Sequence, residues 1–73
     1  MDIFKSLFKA KLIGRPEVID DKTKESKEIG VFTIGKRYRV YDVFDNGRGF
    51  TDFLVADDQG VFYWINMSVF RSG

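Results

Sequence analysis

The sequence predicts a mainly β domain organised as an antiparallel meander, and three observations carry that prediction. Between Ile34 and Phe70, apolar runs at 37–44, 50–57 and 61–65 alternate with turn signals. The turns, Asp45-Asn46-Gly47-Arg48-Gly49 and Asp57-Asp58-Gln59-Gly60, contain the Asn-Gly and Asp-x-x-Gly residues that supply positive φ in tight hairpins. The chain has only 73 residues, yet 44% are hydrophobic and 16% aromatic, with eight Phe, three Tyr and one Trp. A domain this small buries only about 60% of its unfolded surface, so large rings are its most economical source of burial.

In chain order, Ile3, Phe4, Leu7 and Phe8 fall at helical spacing behind Asp2 as a candidate N-cap, with Lys5 and Lys9 on the other side. This spacing predicts a short amphipathic helix over 2–9. So short a helix needs a surface to dock on, either the β core or a membrane or partner. Ala10-Lys11-Leu12-Ile13 reads as a first strand leading to Gly14-Arg15-Pro16, and Val18-Ile19 as an edge extension beyond the proline. The stretch 20–28 contains four acids, three lysines and no apolar residue, which predicts a solvated loop or hairpin tip. Phe32 to Gly35 reads as a turn or short strand.

In the following strand Tyr38 and Val40 alternate with Arg37, Arg39 and Tyr41. Alternation fails at the adjacent Val43 and Phe44, which predicts a bulge or bend there. Phe53 and Val55 alternate with Leu54 and Ala56, and Val61, Tyr63 and Ile65 alternate with Phe62 and Trp64. Either Tyr63 and Ile65 face inward, leaving Phe62 and Trp64 outside, or the reverse holds. Asn66 to Phe70 fits one helical or 3₁₀ turn that sends Met67 and Phe70 into the core. Arg71-Ser72-Gly73 is expected to carry no structural weight.

The skeleton Phe32-x-Ile34-Gly35-Lys36-x-Tyr38-x-Val40, then Val55-x-Asp57-Asp58-x-Gly60, an aromatic strand and a closing Phe70, resembles a group of small phage and bacterial proteins. These have an SH3-like β-barrel. The resemblance covers 32–70 and, more loosely, the strand at 10–14. It implies a single SH3-like domain over 1–73, a barrel of about five strands, to which the spacing at 2–9 adds the short N-terminal helix. Gly35 would then turn the chain into its strand, Tyr38 and Val40 would face the interior, and Asp57 to Gly60 would close a hairpin. The helix at 2–9 and the charged stretch at 16–30 are additions to the pattern, and function resides in sites rather than folds.

Composition narrows the chemistry. With no histidine and no cysteine, the usual general base, pH switch, nucleophile and disulfide are all missing, so no enzyme is expected. Asp57 and Asp58 read as turn residues; on a strand they would point to opposite faces. Asp42, Asp45 and Asp52 flank the first hairpin without the spacing of a calcium loop, so neither metal nor cofactor is expected. Gly47-Arg48-Gly49 lacks the strand-to-helix setting of a phosphate loop. Asn66-Met67-Ser68 matches a glycosylation sequon. No apolar run approaches the ~20 residues of a membrane span, and the N-terminus lacks the apolar centre of a signal peptide, so a membrane partner is not expected and the cytoplasm is.

Binding remains. The expected function is a non-catalytic protein-interaction module, in keeping with a phage-encoded accessory protein that binds or inhibits a host protein. Outward Phe62 or Trp64 beside Tyr41 would supply its hot spot. The alternatives are nucleic-acid binding through Arg37, Arg39, Tyr41 and Arg48, and a homo-oligomeric structural role through a strand face or sheet edge. Against nucleic acid stand Asp42, Asp45 and Asp52, close by in sequence, and a net charge of only +1.

Overall fold

In a computed structural model, residues 5–19, 22–47 and 49–72 are described. The strands are β1 (Phe8–Leu12), β2 (Glu17–Ile19), β3 (Ser26–Glu28), β4 (Arg37–Asp45), β5 (Thr51–Ala56), β6 (Phe62–Asn66) and β7 (Phe70–Ser72). A 3₁₀ turn, Met67–Val69, links the last two. The main sheet is antiparallel in the order β6-β5-β4-β1-β7, and β2 and β3 pair separately as a hairpin.

The consecutive pairing β4-β5-β6 is the meander that the turn signals predict. The final strand returns to the first, pairing Leu12 with Phe70 and Lys11 with Arg71. Arg71 and Ser72 are therefore strand residues, contrary to the expectation that the terminal tripeptide carries no structural weight. Aromatic Phe70 needs burial, and placing it inside draws the next two residues into the β1 ladder.

The expected helix at 2–9 is corrected over its described half. Lys5 and Ser6 have no regular structure, Leu7 lies in a bend, and Phe8 begins β1. The Leu7 amide donates to the Val40 carbonyl at 2.7 Å, so this segment extends the sheet. Asp2, Ile3 and Phe4 lie outside the described residues. The physical reason is competition: a two-turn helix is marginal alone, whereas β4 offers a ladder of backbone partners. Phe8 packs edge-to-face on Phe53, with centroids 5.3 Å apart.

The inner face of the sheet holds one core: Ala10, Leu12, Tyr38, Val40, Val55, Ile65 and Phe70 are buried. Ile29, Phe32, Phe53, Tyr63 and Val69 pack around it. Tyr63 and Ile65 thus face inward, deciding the β6 ambiguity. Met67 does not enter the core and is half exposed; Val69 packs there instead. A 3₁₀ turn has three residues per turn, so it directs only one side of so short a piece toward the core. The β4–β5 register shifts between Val40 and Asp42, placing the bulge at Tyr41, two residues before the expected break. Val43 then pairs with Phe53 on the inner side, and Phe44 with Asp52 on the outer.

The Asp57-Asp58 turn ties the β5–β6 hairpin to the segment leading into β4. Asp57 is buried, and its carboxylate accepts from the amides of Val31, Gln59 and Val61, each at 2.9 Å. Asp58 accepts from Thr33 Oγ1 at 2.7 Å, Lys36 Nζ at 2.7 Å and the Tyr38 hydroxyl at 2.8 Å. Tyr38 in turn accepts from the Thr33 amide at 2.7 Å. Gly30 is needed in the same segment. Its φ is +72°, and a Cβ there would lie 2.6 Å from the Phe32 ring and 2.9 Å from the Tyr63 ring.

Candidate functional site

Because successive residues of a strand point to opposite faces, filling the inner face fixes what the outer face displays. Residues paired across strands share a face, so the registers define two contrasting halves of the outer surface.

The first half lies on β4, β5 and β6. Asp42, Leu54 and Trp64 form one row across the sheet, Phe44, Asp52 and Asn66 the next, and Ala56 pairs with Phe62. Tyr41, displaced by the bulge, packs edge-to-face on Phe62 with centroids 5.3 Å apart. Phe44 packs on Trp64 in the same manner at 6.3 Å. Phe44, Phe62 and Trp64 nevertheless remain 58%, 44% and 45% exposed. A shallow concavity is lined by Phe44, Asp52 and Trp64. The described part of the N-terminal segment does not cover these rings, since it runs along the far side of β4 and turns Phe8 inward.

The second half lies on β4, β1 and β7. Lys9 pairs with Arg39, and Lys11 pairs with Arg37 on one side and Arg71 on the other. All five side chains are exposed, and none forms an ion pair with a described residue. Of the acids expected to cancel Arg37 and Arg39, Asp42 stands further along the outer face of β4, and none forms an ion pair with either arginine. Asp42 and Asp52 stand among the aromatic rings, and Asp45 accepts a hydrogen bond from the Gly47 amide at 2.9 Å in the β4–β5 turn.

Of the residues singled out from sequence, Arg37 and Arg39 share the cationic half, and Tyr41, Phe62 and Trp64 the aromatic half. Arg48 lies outside the described residues. Sequence reasoning missed Lys9, Lys11, Arg71 and Phe44. The alternation Lys9-Ala10-Lys11 was visible, but its register against β4 and β7 was not. Phe44 was obscured by the misplaced bulge.

Among the described residues, the titratable groups with displaced pKa values, Lys36, Tyr38, Asp57 and Asp58, belong to the turn network. Asp58 is lowered to about 2 by the hydrogen bond from Lys36, with further help from Thr33 and Tyr38. For Asp57, burial pushes the carboxyl up, but the Val31, Val61 and Gln59 amides outweigh it and the net shift is downward. Burial raises the Tyr38 hydroxyl. These groups hold the loop and hairpin together. A separate cleft lies between Arg15, Pro16 and the 28–34 segment, lined by Ile29, Phe32 and Ile34, with the Arg15–Glu28 ion pair at 3.3 Å beside it. Among the described residues, no three acidic side chains gather as a metal site, and no helix is long and apolar enough to cross a membrane. Comparison with protein families, with curated proteins and with solved structures finds no match.

Proposed function

We infer that this chain is a non-catalytic protein-interaction module that docks its partner on the aromatic half of the outer sheet face. The observation carrying this reading is the pair of ring contacts, Tyr41–Phe62 and Phe44–Trp64, which reach from β4 over β5 to β6 and leave Phe44, Phe62 and Trp64 exposed. Aromatic groups that already pack against one another lose little freedom on binding, and such residues dominate interface hot spots. Asp42 and Asp52 stand in the same rows, so the surface suits an apolar partner segment carrying a basic residue. That residue would lie over Trp64 with its charge near Asp52.

An SH3-like barrel is the architecture proposed for the module. Support comes from the order β6-β5-β4-β1-β7, from the hairpin inserted between β1 and β4, and from the 3₁₀ turn before a last strand that pairs with the first. Resemblance to small phage and bacterial barrel proteins extends the proposal to a cytoplasmic accessory protein that binds or inhibits a host protein.

The test is affinity capture from nuclease-treated bacterial lysate with the wild-type chain, Trp64→Ala and a Lys9→Gln/Lys11→Gln double variant. A stoichiometric protein retained by the wild type and the double variant, and lost with Trp64→Ala, is the expected result. Capture indifferent to Trp64, or abolished by nuclease, overturns it.

A further inference from the structure

Like charges placed directly opposite one another across strands are destabilising. Here Lys9 faces Arg39, and Lys11 faces Arg37 and Arg71 at once. No residue of opposite charge stands on that face of β1, β7 or the first part of β4. A chain with a net charge of +1 has enough acids to break this pattern, yet none of its described acids stands in these rows.

We propose that this cationic strip, Lys9, Lys11, Arg37, Arg39 and Arg71, binds the phosphate backbone of single-stranded nucleic acid. Alternate residues of a strand stand about 7 Å apart and neighbouring strands about 4.8 Å apart, so the strip presents a compact grid of positive charge. Three of the five groups are guanidinium forks, whose planar donors match phosphate oxygens bidentately. The strip contains no apolar side chain. It therefore lacks both the anchor that a protein interface centres on and the apolar face that an interfacial membrane segment inserts. Single-stranded rather than duplex nucleic acid fits because the strip is short, confined to three strands on the outer side of the sheet. A flexible strand can follow that surface, whereas a duplex with a persistence length of about 50 nm meets it only along a line. The strip consists of exposed Lys and Arg side chains on strands, so recognition rests on charge and not on sequence. This surface is distinct from the aromatic half, where Asp42 and Asp52 repel a phosphate chain.

The test is fluorescence anisotropy with a labelled oligo-dT single strand and with a duplex of equal length, each across a salt series. Engagement of all five cations gives a slope of log K against log salt of about −3.5 for the single strand. Lys9→Gln/Lys11→Gln should make that slope shallower by about 1.4. Arg37→Gln/Arg71→Gln, on the flanking strands, should do the same. Trp64→Ala should leave it unchanged, so this proposal and the protein-interaction reading fail separately. All replaced groups are exposed, and the glutamine variants relieve repulsion, so their thermal midpoints should be no lower than that of the wild type. No binding at low salt, a slope unaltered in both double variants, or tighter binding of the duplex than of the single strand overturns the proposal.

Discussion

Asp58 takes hydrogen bonds from Thr33, Lys36 and Tyr38, and the Lys36 contact is the main reason its carboxyl sits at about 2 instead of 3.8. A carboxyl depressed in the folded state stabilises that state fully above its ordinary value. The contribution is lost as pH falls through the folded value. Wild-type stability should therefore decline between about pH 4 and pH 2 more steeply than that of Asp58→Asn, which has no proton to take up there. Circular dichroism during acid titration of both proteins checks this, and parallel curves would show that the network does not couple to folding. The neighbouring Asp57 serves backbone amides instead of side chains. Adjacent acids thus hold two layers of one junction, the first fixing the path of the chain at Val31 and the second the side chains that lead into β4.

At the scale of elements, β6 shows how one strand serves both the fold and its surface. Its inward residues, Tyr63 and Ile65, join the core, while Phe62 and Trp64 stand outside. β7 makes the complementary contribution, burying Phe70 against Phe53 with ring centroids 5.7 Å apart. Phe70→Ala should cost about 3–5 kcal/mol, since it removes a buried ring and leaves a cavity. That is much of the stability a domain of this size possesses. Trp64→Ala should cost the fold far less, because nearly half of the ring already meets water, while weakening partner binding by about 2 kcal/mol or more. Urea titration of both variants supplies the comparison. Equal losses would place Trp64 in the core and remove the basis for the docking face.

Across the whole molecule, charge is segregated on a nearly neutral chain. The cationic half of the outer face opposes like charges, and the described acids lie among the aromatic rings, in the turns and on the β2–β3 hairpin. Screening reaches exposed charges within about 10 Å at 0.1 M salt. Raising salt from near zero to 0.3 M should therefore lift the thermal midpoint of the wild type relative to Lys9→Gln/Lys11→Gln, in which much of the repulsion is already gone. Scanning calorimetry at several salt concentrations measures the difference. Identical salt responses would mean that the strip carries no net strain.

The sequence by itself determined the class of structure. Turn residues at 45–49 and 57–60 set the hairpins, alternation chose Tyr38, Val40 and Val55 as core, and the closing Phe70 marked the end of the packed region. These are local signals, carried by residues within one strand or turn. Tertiary structure decided what depends on partners distant in sequence. Leu7 and Phe8 had helical spacing, but pairing with β4 drew them into the sheet. Tyr63 and Ile65 won the interior over Phe62 and Trp64 only when the register with β5 was set. The bulge at Tyr41 settled which side Phe44 would take. The cationic strip was legible only as scattered pieces, because Lys9, Lys11, Arg37, Arg39 and Arg71 come from three strands far apart in the chain. A strand pattern reports which residues share a face, but register alone reports which faces meet, and register is set by long-range packing.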